Sequence, residues 1–189
     1  MAASDALRQS ILEWAKRYVL TVSDDPTLCP DGKRHGWETL KQIFDTACET
    51  RPGWSTENLK ALQTRGMWLT RSGRGGTKTA DEAIHWCGIF ATFILIKAGL
   101  GVKWRSGKGI ISSSAKVVEQ TNSWIKGFDR KLIQPGDVCA IQKANHHFIV
   151  IETQPTTDVM RCIAGNGRFQ QIEWQTHSKS SVVTHYRLL

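Results

Sequence analysis

A cysteine, two adjacent histidines and an asparagine are the residues through which this sequence can do covalent chemistry. Cys87 stands between Trp86 and Gly88 and opens the run Cys87-Gly88-Ile89-Phe90-Ala91-Thr92-Phe93-Ile94-Leu95-Ile96. That run is apolar nearly all round, so it predicts a helix buried on most sides and ended by Gly99 and Gly101. A thiol at a helix N-terminus feels the positive end of the macrodipole, which favours the nucleophilic thiolate. Free backbone N–H groups at the same end can hold a developing oxyanion. Of the five cysteines (Cys29, Cys48, Cys87, Cys139, Cys162), only Cys87 occupies such a position. The competing reading of Cys87 is plain packing.

A cysteine nucleophile needs a base within hydrogen-bond reach and a third group to orient that base. The predicted strand from His146 to Thr153 begins with two histidines on opposite faces. Alternation groups His147 with Ile149 and Ile151, and His146 with Phe148 and Val150, so one of the two can face Cys87. The preceding strand opens on the tight turn Gln134-Pro135-Gly136-Asp137, where Asp137 reads as a turn former. The following strand ends in Ala164-Gly165-Asn166-Gly167, which brings a short polar side chain beside the histidine strand.

These residues need a scaffold, and the chain's periodicity changes midway. Leu7, Ile11, Trp14 and Tyr18 mark a first amphipathic helix. Leu40, Ile43, Phe44, Ala47 and Cys48 mark a second from about Trp37, closed by Arg51-Pro52-Gly53, with Cys48 expected in the core. A third is expected from Ser55 or Thr56. The glycine-rich stretch Arg71 to Thr77 lacks the spacing of a phosphate-cradling loop. A further helix is expected from Ser112-Ser113-Ser114, carrying Val117, Val118, Thr121, Trp124 and Ile125. From Pro135 onward the period is two, with strands over 138–142, 146–153, 159–164, 171–175 and 182–188. Helices followed by strands predict an α+β domain with an antiparallel sheet.

Bulk properties narrow the setting. A chain of 189 residues is long enough to bury roughly 70% of its unfolded surface. No apolar run reaches the roughly 18 residues of a membrane span. The N-terminus has neither the basic start nor the apolar stretch of a signal peptide, which predicts synthesis in the cytoplasm and any export by another route. The cysteines fit neither a CxxC metal pattern nor a dense disulfide framework, so no metal is expected. Net charge is +8, with five basic and no acidic residues in each of the stretches 60–78 and 83–118. Such a field attracts an anionic partner: nucleic acid, a membrane face or the carboxylate-rich bacterial wall.

The ordered set of motifs resembles the CHAP and NlpC cysteine hydrolases, bacterial peptidoglycan amidases and endopeptidases with a papain-like fold. Trp86-Cys87-Gly88-Ile89-Phe90-Ala91 is similar to their nucleophile helix, and Pro135-Gly136-Asp137 to their turn into a strand. His147-Phe148-Ile149-Val150-Ile151 is similar to their histidine strand, and Gly165-Asn166 to the position of their third residue. The resemblance spans roughly Ala80 to Tyr186. It departs from the family before the cysteine, where Asp81-Glu82-Ala83-Ile84-His85 lacks the usual glutamine, and near Ala164, where a glutamate is common.

The resemblance implies a papain-like core over 80–189, its nucleophile helix packed on the antiparallel sheet, with a helical extension over 1–79. It implies a triad of Cys87, His147 and Asn166 that cleaves an amide in the peptidoglycan stem through an acyl-enzyme, with no cofactor. Among the eight tryptophans, Trp86 and Trp104 are the two expected to line a substrate groove, and most of the others are expected in the core. His85 is expected merely to lead into the helix. Delivery to a target cell's periplasm or wall, as a type VI secretion effector or a phage-type lysin, would suit such an enzyme. An effector would imply an immunity protein occupying the cleft. The competing functions are a papain-like protease or deamidase acting on host proteins, a basic nucleic-acid-binding module without a recognition motif, and an inactive relative.

Overall fold

The buried stripes of three helices set the first half of the molecule. In the computed structural model, which describes residues 5–50, 54–70, 83–112, 117–126, 128–141 and 146–189, helix α1 spans Asp5–Arg17 and buries Ile11 and Ala15. Asp5 in its first turn and Lys16 and Arg17 in its last complement the macrodipole. Helix α2, Trp37–Ala47, buries Leu40, Ile43, Phe44 and Ala47 at helical spacing. Helix α3, Thr56–Gln63, is capped by Ser55, whose side chain accepts from the Asn58 backbone N–H at 3.1 Å. Cys48 caps the end of α2 and is half-buried rather than core. The glycine-rich stretch 71–77 and the closing Arg51-Pro52-Gly53 lie outside the described residues.

Helix α4, Cys87–Lys97, is the centre of the fold. Every residue from Cys87 to Leu95 is buried, which is what an all-round apolar helix requires. Leu40, Ile43 and Phe44 of α2, Ile11 of α1 and the inner face of a sheet belong to the same core as Ile89, Phe90, Phe93 and Ile94. The N-terminal helices therefore share one hydrophobic core with the rest of the chain.

Two sheets follow. Strands β1 (Val102–Arg105) and β2 (Gly109–Ser112) form a hairpin. The large sheet is antiparallel and six-stranded, in the order β3-β8-β4-β5-β6-β7. Its strands are β3 (Val118–Asn122), β4 (Val138–Ile141), β5 (His146–Thr153), β6 (Val159–Ala164), β7 (Glu173–Ser178) and β8 (Val182–Leu188). One face carries Val138, Ile149, Ile151, Ile163, Tyr186 and Leu188 into the core of α4. The other buries Cys139, Phe148, Val150, Met160, Cys162 and Val182 in a second cluster, against which Phe128 packs and which includes Ile133. The architecture is α+β.

One expected element takes another form. The helix expected to begin at Ser112-Ser113-Ser114 is absent among the described residues of that stretch. Ser112 ends β2, residues 113–116 are outside the described set, and Val118–Asn122 is the edge strand β3, paired with β8. The β-branched residues Val118 and Thr121 suit a pleated edge. Trp124 and Ile125 fall in the turn beyond it, where Trp124 is 74% exposed.

Candidate active site

Cys87 is the first residue of α4 and only 2% exposed. Burial pushes its thiol above the ordinary value, while the backbone N–H groups of His147, Gly88 and Cys87 itself pull the other way. The His147 N–H donates to Sγ at 3.4 Å. The strand that carries the histidine pair thus touches the helix start through its backbone. At the thiol, desolvation outweighs these dipoles, so burial favours the protonated sulfur.

The two histidines go to opposite faces. Ala140 opposes His147, and Val138 opposes Ile149, on the side of the sheet that faces α4. The His147 ring is buried between two aromatic rings, edge-on to Trp104 at 5.1 Å and tilted against Tyr186 at 5.8 Å. His146 lies on the far face, where its Nε2 meets Gln175 Oε1 at 2.8 Å and its ring neighbours Phe148 and His177.

Two glycines let the surrounding aromatics close on the helix start. A Cβ on Gly88 would stand 2.2 Å from the Trp104 ring, and a Cβ on Gly165 would stand 2.4 Å from the Trp86 ring. Trp104, half-buried, therefore lies directly over the backbone beside Cys87, and the same ring meets that of His147. Trp86 differs from the groove residue expected of it: it is 2% exposed and belongs to the core. Its indole Nε1 is buried with no hydrogen-bond partner among the described residues. Trp104 is half-buried. Of the six tryptophans expected mostly in the core, Trp14, Trp37 and Trp54 are half-buried and packed against it, Trp68 is half-buried, and Trp124 and Trp174 are exposed.

Asn166 lies just past β6 in a left-handed conformation, φ 60°. Its Nδ2 is 3.3 Å from Nδ1 of His85, the exposed residue two before Cys87. The side chain expected to orient His147 is thus bonded to His85, while its buried Oδ1 has no partner among the described residues. His85 also meets Trp68 edge-on at 5.8 Å. The sequence offered a signal for this pair only in the proximity of His85 to Cys87.

Sequence reasoning also undervalued Asp137. It is more than a turn former: fully buried, it accepts from Arg8 Nη1 at 2.8 Å and from the Gln134 and Leu188 backbones, and it pairs with His185 Nε2 at 2.8 Å. Arg8 also donates to the Pro135 carbonyl. This network joins α1 to the start of β4, and the side-chain partners of Asp137, Arg8 and His185, lie more than 40 residues away in sequence.

Among the described residues no group of three or more His, Cys, Asp or Glu side chains is placed to hold a metal ion. None of their helices is long and apolar enough to cross a membrane. Neither a family model, nor a curated protein, nor a solved structure matches the chain. What the arrangement offers chemically is a thiol at the amino end of a buried helix, ringed by backbone donors, with a buried imidazole on the adjoining strand.

Proposed function

We propose that this chain is a papain-like cysteine hydrolase that cleaves an amide bond in the peptide stem of bacterial peptidoglycan. The observation that carries the reading is the junction of Cys87, at the start of α4, with His147 on β5, made by the N–H···Sγ bond at 3.4 Å. An α+β core with an antiparallel sheet under that helix supports it. So does the net charge of +8, suited to an anionic wall polymer.

A protonated thiol requires a base, and His147 fills that role. The imidazole takes the thiol proton as Sγ attacks the amide carbonyl, forming the S–C bond. Negative charge moves to the carbonyl oxygen, where the Cys87 backbone N–H helps to hold it. The C–N bond then breaks, and imidazolium returns its proton to the leaving amine. Water, deprotonated by the same imidazole, releases the acid and restores the thiol. Asn166 is bonded to His85, two residues before the thiol. An enzyme of this kind suits delivery into a rival cell's periplasm, where an immunity protein would block the cleft, or release during phage lysis.

Digestion of purified sacculi by the wild type and by Cys87→Ala, His147→Ala and Asn166→Ala tests the reading, with fragments identified by mass spectrometry. New stem fragments from the wild type, none from Cys87→Ala or His147→Ala, and a reduced yield from Asn166→Ala are expected. Silence from the wild type, or equal yield from Cys87→Ala, overturns it. Cleavage or deamidation of folded proteins in place of sacculi would move the substrate to a host.

A further inference from the structure

A cavity of about 330 Å3 opens between the α3–α4 connection and the β6–β7 loop, lined in part by Arg65, Gly66, Trp68, Gly167 and Phe169. That volume lies within the range of about 300–1,000 Å3 common for small-ligand sites. Asp24, which also lines it, belongs to a buried ion pair: Arg34 Nε donates to Asp24 Oδ1 at 2.7 Å, and both side chains are almost wholly buried. Arg34 also donates to the Leu62 and Met67 carbonyls and to Gln170 Oε1. Gln170 Nε2 and the Gly66 N–H both donate to Asp24 Oδ2. A buried pair with so many partners locks register more than it adds stability. Here it ties residues 24, 34, 66 and 170 into one network.

The chain beside that network is strained. Asn166, Phe169 and Gln170 all have left-handed backbones, with φ of 60°, 54° and 47°. That conformation is unfavourable for Phe169 and Gln170, and better tolerated by Asn166. Phe169 lines the cavity and is 40% exposed. Trp68, half-buried, forms another wall. Aromatic faces combined with the five N–H donors of Arg65 are the chemistry that receives a sugar: apolar C–H faces stack on rings, and hydroxyl and acetamido oxygens accept from guanidinium.

The cavity adjoins the candidate active site. Gly167 on its wall follows Asn166, which is bonded to His85, and His85 packs against Trp68 and lies two residues before Cys87. We propose that the cavity is a saccharide subsite that takes an N-acetylhexosamine ring of the glycan strand, with the attached stem peptide passing His85 toward Cys87. The placement of the amide rests on the hydrolase reading; sugar binding itself does not.

Calorimetric titration of the Cys87→Ala protein with tri-N-acetylchitotriose tests the subsite without any hydrolysis. Binding in the millimolar range or tighter is expected, weakened about tenfold by Trp68→Ala and by Phe169→Ala, as the loss of one stacked ring implies. The exposed position of Phe169 keeps that variant folded where Trp68→Ala fails to fold. Phe169→Gly separates strain from recognition: it should melt above Phe169→Ala, since glycine accepts φ 54° freely, yet bind the sugar as poorly. In the wild-type background, Phe169→Ala should lower kcat/KM on a glycan-bearing muropeptide more than on a sugar-free stem peptide. No binding of the trisaccharide, or equal binding by both aromatic variants, overturns the subsite. If neither substrate is hydrolysed, the hydrolase reading falls and the titration still decides the cavity.

Discussion

At the scale of single residues, burial decides which groups titrate. His177 stacks on Phe148 at 4.4 Å, and its Nε2 meets Gln175 Oε1 at 2.9 Å. Burial, and then the neighbouring His146, lower its pKa from the ordinary value near 6.5 to about 4. The unfolded chain therefore binds this proton more readily than the folded one. Its contribution to stability is complete above pH 6.5 and is lost as pH falls through 4. Urea unfolding followed between pH 7 and 4 should show a declining acid limb, and His177→Phe should flatten it. An unchanged limb in that variant would assign the acid sensitivity to other groups. The candidate site follows a similar rule of locality. Cys87 and the His146-His147 pair were legible because a helix start and a strand's alternation are properties of neighbouring residues. The bonding of Asn166 to His85, the burial of Trp86 and the pairing of Asp137 with Arg8 and His185 depend on residues far apart in the chain. No local pattern carries them.

At the scale of elements, the site depends on how closely β1 approaches α4. Trp104 of β1 lies over Gly88, where a Cβ would come within 2.2 Å of its ring. The same ring stands edge-on to His147 at 5.1 Å. Gly88→Ala must push the indole off the helix start, with an overpacking cost of about 1–3 kcal/mol. Because the clash and the contact share one partner, the double variant Gly88→Ala with Trp104→Leu should be more stable than the sum of the two single effects predicts. A double-mutant cycle by thermal or denaturant unfolding measures this coupling, and strict additivity would show that the helix start yields by another route. The helices α1 to α4 and strands β4, β5, β6 and β8 were readable from their periods. The β1–β2 hairpin and β3 were not. Val117, Val118 and Thr121 fit a helical spacing as well as an edge strand's alternation, and only the exposed edge of β8 decides between them.

At the scale of the whole molecule, the N-terminal helices and the sheet-bearing half share one hydrophobic core. Helix α4 is apolar on every side, so the sheet can cover only part of it; Leu40, Ile43 and Phe44 of α2 and Ile11 of α1 belong to the same buried cluster. Arg8 of α1 adds a polar tie, because it supplies a charged partner to the fully buried Asp137 on the strand side. Removing residues 1–79 would uncover the apolar flank of α4 and leave Asp137 without its arginine. Deleting one partner of a buried ion pair costs about 3–5 kcal/mol, a large share of the roughly 5–15 kcal/mol that holds a domain together. The fragment 80–189 should therefore lack fixed tertiary structure: a flat near-ultraviolet dichroism spectrum, strong binding of a hydrophobic dye, and poor solubility. Adding the 1–79 segment back as a separate chain should restore part of the tertiary signal, because the apolar faces remain complementary. A fragment that folds alone, with a cooperative melt, would make the N-terminal helices an appended module. The shared core would then be a docking surface rather than a condition of folding.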